Sequence, residues 1–314
     1  MADGPYRQPV IKLAKLLVFI VIPALLINAW VVSRQTQEAA TFGGGHVVSI
    51  TGPDLNVREY GAGSGTGAIV LLHGYASSIE WWADVAEKLA TETKRKVIAI
   101  DLVGHGGSES PLDSDAYGAE GQALAVARAL AGVKADDVVL VGHSMGGHIA
   151  TAVAQREPEL VERIVVIDTF GAAGLRDLGP LKEATCWPIV GAALDRGRPI
   201  DAITKSSLQA GFAADFDVPA FAYRSLKQMI HRGVCDATAG DEMNAKRPLA
   251  LQLAQIGKPV KVIWGGRDTL TPTAANVAAY ENAGLTPEIV DRAGHSPQVE
   301  APDDVVGMIA GFVK

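Results

Sequence analysis

The stretch Gly142-His143-Ser144-Met145-Gly146 constrains the fold of this 314-residue chain more than any other. Residues 137–141 before it form a short apolar run of β-branched character, and residues 147–156 after it have helical composition. A G-x-S-x-G pentapeptide between a strand and a helix forces its serine into a sharp turn with strained backbone angles. Gly142 and Gly146 remove side chains that would clash where strand and helix converge. The turn lifts the Ser144 hydroxyl into the open. The helix that follows aims free N–H groups and its positive dipole end at that hydroxyl, which suits a developing oxyanion.

A serine is a poor nucleophile without a base, so a histidine and a carboxylate are expected further on, in the order Ser, Asp, His. The chain has seven histidines, and only His231 and His295 lie beyond the elbow helix. His295 sits in Ala293-Gly294-His295-Ser296-Pro297, after the strand-like residues 287–291 and before a closing helix from about Pro302. Asp268 follows the strand-like residues 259–264 on a Gly265-Gly266-Arg267 turn. Taken singly, Asp268 reads equally as a turn cap before Thr271-Pro272, and His295 as a surface-loop histidine. Three such residues in this order, each at a strand end, select the catalytic reading. Asp168, at the end of the preceding strand, is the competing carboxylate.

Residues 47–50 and 57–60 read as a first hairpin. Buried strands are expected over 69–72, 97–100, 138–141 and 164–167, with helices over 79–92, 118–131 and 145–156 between them. Such alternation predicts an α/β architecture, a mostly parallel twisted sheet with helices on both faces. The glycine-rich residues 61–67 precede a strand rather than open a helix, and read as a hairpin turn. After Asp168 the rhythm stops. Residues 171–254 contain no strand-like run, only helical stretches such as 220–231, and the strand pattern resumes at Pro259. The large apolar residues of this insertion are Trp187, Phe212, Phe216, Phe221, Tyr223 and Met229; most are expected to pack it against the core, and some to face the site.

With these residues in view, the chain resembles the α/β-hydrolase fold superfamily, in its serine-nucleophile branch with a helical cap. The resemblance rests on His73-Gly74-Tyr75, on Asp101-Leu-Val-Gly104-His105-Gly106-Gly107-Ser108, on the elbow, on Trp264 through Pro272 and on Gly294-His295-Ser296-Pro297. It implies a hydrolase core over 46–170 and 255–314, with 171–254 as a cap above Ser144. It also implies an oxyanion hole made by the backbone N–H groups of Tyr75 and Met145, a loop-holding role for His73, and turn roles for Asp101, His105 and Ser108.

The N-terminus is a separate problem. Residues 16–32 are apolar apart from Asn28, with Arg7, Lys12 and Lys15 before them and Arg34 and Glu38 after. The run is at the short end of what a bilayer needs, roughly 17–25 residues. Lys15 can snorkel, Pro23 is tolerated in a membrane helix, and Trp30 suits an interface. Residues 1–33 are therefore expected to be a transmembrane signal anchor, followed by a linker over 34–45 and an extracytoplasmic hydrolase. A cleaved secretory signal and a buried helix are the rival readings. In an oxidising compartment the only two cysteines, Cys186 and Cys235, can bond; two buried free thiols are the alternative.

Composition narrows the function. A hydrophobic fraction of 48% supports a sizeable buried sheet, and a net charge of −7 with no basic run in the core argues against nucleic-acid binding. No metal-ligand cluster or cofactor motif is apparent. His143 and His148, five apart, read as a residue lining the floor near Ser144 and a packed or hydrogen-bonded one. The sequence thus predicts a cofactor-free serine hydrolase acting on a small, apolar carboxylic ester, lactone or thioester, with a membrane as partner and an oligomeric state it does not specify. Carbon–carbon bond hydrolases, cofactor-free perhydrolases and low-turnover ligand receptors on the same fold are the alternatives.

Overall fold

Strands buried in near-continuous runs define the centre of the molecule. In the computed structural model, which describes residue 12 and residues 15–63, 67–176 and 184–314, eight strands form one sheet: β1 (His46–Val48), β2 (Leu55–Tyr60), β3 (Gly67–Leu72), β4 (Lys96–Ile100), β5 (Asp136–His143), β6 (Val161–Ile167), β7 (Val260–Gly265) and β8 (Pro287–Val290). Their spatial order is β1-β2-β4-β3-β5-β6-β7-β8. β1, β2 and β4 pair antiparallel, and every pair from β4 to β8 is parallel. The helices in chain order are α1 (Ile22–Ser33), α2 (Ala83–Thr93), α3 (Ala119–Gly132), α4 (Met145–Arg156), α5 (Val190–Leu194), α6 (Asp201–Gln209), α7 (Ala220–Gln228), α8 (His231–Cys235), α9 (Ala239–Lys246), α10 (Leu249–Ala254), α11 (Thr273–Asn282), α12 (Pro297–Glu300) and α13 (Pro302–Val313).

Because successive strand residues face opposite ways, β3 feeds two cores. Val70 and Leu72 pack with α3 and α4 on one face. Ile69 and Leu71 pack with Leu89 of α2 and Ile309 of α13 on the other. Helices on both faces of a mostly parallel sheet are the predicted architecture. The order of strand addition reverses at β3, with β4 on one side of it and β5 on the other, and Tyr75 and Ser144 follow the C-terminal ends of β3 and β5 at this switch point.

Two expectations need correction. Residues 61–67 are not a hairpin turn: β2 pairs with β4, which lies between β2 and β3, so this segment carries the chain past β4. Residues 64–66 within it lie outside the described residues. Within residues 34–45, Gln37 forms an antiparallel bridge to Ser110 and Ala40 N–H donates to the Gly107 carbonyl at 2.8 Å.

The second correction concerns residues 1–33. Among the described residues no helix is long and apolar enough to cross a membrane. Leu17–Val21 is π-helical and runs directly into α1, which has 12 residues. Instead α1 lies against the insertion. Asn28 Nδ2 donates to the Ala192 carbonyl at 3.0 Å, Arg196 Nε donates to Asn28 Oδ1 at 2.9 Å, and Arg232 Nη2 donates to the Ser33 carbonyl at 2.6 Å. Arg7 and the rest of residues 1–11 lie outside the described residues.

The regular secondary structure in the described part of the insertion between β6 and β7 is all helical, from α5 to α10, joined by turns and irregular stretches such as residues 210–219. Cys186 and Cys235 are bonded, with Cα atoms 5.4 Å apart, which ties its start to α8. Phe212, with Phe216, Phe221 and Tyr223 beside it, packs on Trp81 of the core. Trp187, by contrast, is exposed.

Candidate active site

β5 ends at His143 and α4 begins at Met145, which leaves Ser144 alone to turn the chain. It does so at φ +51° and ψ −118°, the strained conformation that a one-residue strand-to-helix turn demands. The flanking glycines are required by contact. A Cβ at Gly146 would lie 2.2 Å from the Leu72 carbonyl oxygen, and one at Gly142 would lie 2.3 Å from the Gly146 carbonyl oxygen.

Ser144 Oγ lies 3.0 Å from Nε2 of His295, and Nδ1 of His295 lies 2.7 Å from Oδ2 of Asp268. Burial pushes the Asp268 carboxyl up, but His295 beside it and hydrogen bonds from His295 and Thr271 outweigh burial and hold it below the ordinary value. An ionised carboxylate only accepts, so the Nδ1 proton of His295 faces Asp268 and its Nε2 is left to accept from the serine hydroxyl. The carboxylate is further fixed by N–H groups of Leu270 and Thr271, which donate to Oδ1 at 2.8 and 3.0 Å, and by the Thr271 hydroxyl, which donates to Oδ2. Thr271 is a positioning residue that the sequence reading left as part of a turn. Its signal was present in the Asp-x-x-Thr spacing of an Asx-type turn.

Asp168 sits beside this pair. Its carboxylate accepts from Gly265 N–H at 2.9 and 3.2 Å, at the end of a strand where its own φ is +43°. Burial, then the charge of Asp268, push the Asp168 carboxyl well above the ordinary range. Two carboxyls in one buried site are driven apart in this way, Asp268 toward the ionised form and Asp168 toward the protonated one. Asp168, Asp268 and His295 also offer ligand atoms within 4.8 Å of one another, a cluster that the sequence reading missed because the residues are far apart in the chain. The set fits a metal poorly, since His295 Nδ1 and Asp268 Oδ2 already face each other at hydrogen-bond distance.

Burial favours the neutral form of His73, His105, His143 and His148, which serve as scaffolding. His143 stands behind the site, with Nε2 donating to the His295 carbonyl at 2.7 Å, which fixes the backbone of that residue. Burial, with the charge of His295, pushes His143 down to about 3. His148 is fully buried, 2.9 Å from Asn244 Nδ2, and burial pushes it down to about 3. His73 accepts from Leu102 N–H at 3.1 Å and donates to the Gly74 carbonyl at 2.7 Å, which pins the loop after β3. That loop passes close to Ser144, because a Cβ on Gly74 would lie 3.1 Å from Ser144 Cβ. Tyr75 follows Gly74 in this loop, and Met145 opens α4 directly after Ser144. Asp101, which accepts from Gly107 and Ile79 N–H groups, and Ser108, which donates to the Asp101 carbonyl, hold the neighbouring loop and do not reach the site.

A small cavity of about 40 Å³ adjoins Ser144 and His295. Met145, Phe170, Leu270 and Thr271 line it from the core side, and Arg176, Ala237 and Gly240 from the insertion. The insertion therefore does wall the site, but with small residues and one arginine rather than with its aromatic residues, which pack on Trp81. Arg176 stands over the Phe170 ring at 5.2 Å and pairs with Asp241.

The model for the "Alpha/beta hydrolase family" matches residues 69–308. A Bacillus subtilis (strain 168) protein is 29% identical over 250 residues, covering 75% of this chain and 86% of that one. It carries the name of a 2-succinyl-6-hydroxy-2,4-cyclohexadiene-1-carboxylate synthase, which marks that activity as unproven. Among solved structures, an esterase from Exiguobacterium antarcticum superposes with a TM-score of 0.67 at 19% identity, covering 86% of this chain and 99% of its own. A bacterial membrane phospholipase A superposes with a TM-score of 0.62 at 24% identity, covering 98% of this chain and 96% of its own. At these identities the structural likenesses establish the fold.

Proposed function

From its membership of the alpha/beta hydrolase family, we propose that this chain is a serine hydrolase that cleaves a small carboxylic ester through an acyl-enzyme. The observation that carries the reading is the continuous contact from Ser144 Oγ to His295 Nε2 at 3.0 Å and from His295 Nδ1 to Asp268 Oδ2 at 2.7 Å. In this reading Ser144 Oγ attacks the ester carbonyl carbon as its proton passes to His295 Nε2. Asp268 holds the ring in the tautomer that can accept this proton and stabilises the imidazolium. The N–H groups of Tyr75 and Met145 receive the carbonyl oxygen as it gains charge. His295 then returns the proton to the departing alkoxide, which leaves as the alcohol. Water, deprotonated by the same nitrogen, attacks the acyl carbon and frees the acid and Ser144. No step calls for a cofactor.

The insertion acts as a cap in this reading, and Arg176 is its cation at the substrate cavity. A panel of nitrophenyl esters of increasing acyl length tests the proposal. Sustained release of nitrophenol far beyond one equivalent of enzyme is expected, fastest with short acyl chains because the cavity is small. Release that stops near one equivalent would assign the chain to low-turnover ligand capture instead.

We further propose that the N-terminal segment holds the enzyme at a membrane, with the hydrolase on the extracytoplasmic side. The Cys186–Cys235 bond supports an oxidising compartment. A neighbour whose match extends over 98% of this chain is a membrane phospholipase A.

A further inference from the structure

The described surface exposes large apolar side chains in two stretches, residues 16–31 and 187–203, with Leu112 and Ile289 the only others. In the first stretch Phe19 is 74% exposed and Trp30 64%. In the second, Trp187 is 57% exposed, and Val190, Leu194, Ile200 and Ile203 stand out beside it. The stretches are far apart in sequence, but Asn28 joins them by its hydrogen bonds to Ala192 and Arg196. Asn28 is also the one polar residue in the apolar run 16–32. Its amide is spent on fastening α1 to the cap, so the two apolar stretches are held side by side. Contiguous apolar surface on this scale marks an interaction site.

We propose that this joint face of α1 and the cap docks onto an anionic lipid bilayer, with α1 lying along the surface rather than crossing it. The proposal rests on the membrane reading above and extends it from the N-terminal segment to the cap. Charge argues for lipid. Residues 12–34 and 184–205 expose five basic residues, Lys12, Lys15, Arg34, Arg196 and Lys205, and one acidic one, Asp201, while Arg198 and Asp195 pair with each other at 2.6 Å; the chain as a whole carries a net charge of −7. A face that is both apolar and basic fits anionic headgroups over an acyl layer. A second copy of the chain would bring the same positive charge against it. Both exposed tryptophans lie on this face, the residue type that settles at headgroup depth.

The face is also tied to the site. Trp187 adjoins Cys186, which is bonded to Cys235, and Ala237, two residues on, lines the cavity beside Ser144. The bridge of Gln37 to Ser110 fixes the chain below α1 to the core. Docking therefore holds the cavity at a set distance from the bilayer, where esters dissolved in the lipid reach it.

The test uses the full chain and sedimentation with vesicles of phosphatidylcholine alone or mixed with phosphatidylglycerol. The parent should bind, and bind more tightly when phosphatidylglycerol is present. Combined Trp187→Ser, Ile200→Ser and Ile203→Ser changes should weaken binding about tenfold or more, with unchanged hydrolysis of a short water-soluble ester and an unchanged melting temperature. A variant that binds like the parent overturns the docking of the cap and leaves the N-terminal segment as sole anchor. A parent that binds neither vesicle overturns both readings. A parent that elutes as a dimer, split by these changes without loss of vesicle binding, assigns the face to a second copy and overturns the proposal.

Discussion

Replacing Ser144 by alanine is expected to lower ester turnover by about 10⁴-fold or more while leaving the fold intact. The size follows from the role. Without Oγ no acyl-enzyme forms, and what remains is catalysis by whatever the oxyanion donors and binding provide to attacking water. The fold should survive because alanine meets the same backbone cost as serine at φ +51°, and the Oγ contact it loses is to His295, which keeps its 2.7 Å contact with Asp268. Steady-state rates on a nitrophenyl ester, with a thermal melt of the same sample, provide the check. A variant that keeps more than about a tenth of parental activity would remove Ser144 from the mechanism.

The second large effect separates the two buried carboxyls. Asp268→Asn should cut turnover by about 10⁴-fold, the magnitude a serine triad loses when its acid becomes an amide and the imidazole takes the wrong tautomer. Asp168→Asn should cost about tenfold at most. Burial and the charge of Asp268 push the Asp168 carboxyl toward its neutral form, which an amide resembles. The Asn oxygen can still accept from Gly265 N–H, as the Asp168 carboxyl does at 2.9 Å. Purified single variants compared on one ester decide the matter. A crippled Asp168→Asn beside a mild Asp268→Asn would transfer the acid role to the end of β6.

What the sequence made legible was local. The turn at Ser144 is written in five consecutive residues, and the α/β alternation in periods of two and 3.6. His295 and Asp268 could be placed because each follows a strand-like run, and parallel strands deliver such loops to one edge of the sheet. The features that escaped depend on pairing across the chain. Nothing near residues 61–67 says that β4 inserts between β2 and β3, so a glycine-rich loop read as a hairpin turn. Asp168 and Asp268 divide their protonation only because the β6-β7 register brings them together. Asn28 looked like a blemish in a membrane span until its amide was found on Ala192. The cap aromatics obey no period that distinguishes packing on Trp81 from facing the site, and the small residues Ala237 and Gly240 that do line the cavity carry no signal at all.

The central claim is that Ser144 is the nucleophile. The most direct measurement is to treat the native full chain with a fluorophosphonate and locate the adduct by intact mass and peptide mapping. The account predicts a single adduct, on Ser144, that disappears when the protein is unfolded before treatment, because reactivity depends on the 3.0 Å approach of His295 to an otherwise ordinary hydroxyl. An adduct on another serine, or none on protein that hydrolyses esters, would contradict it.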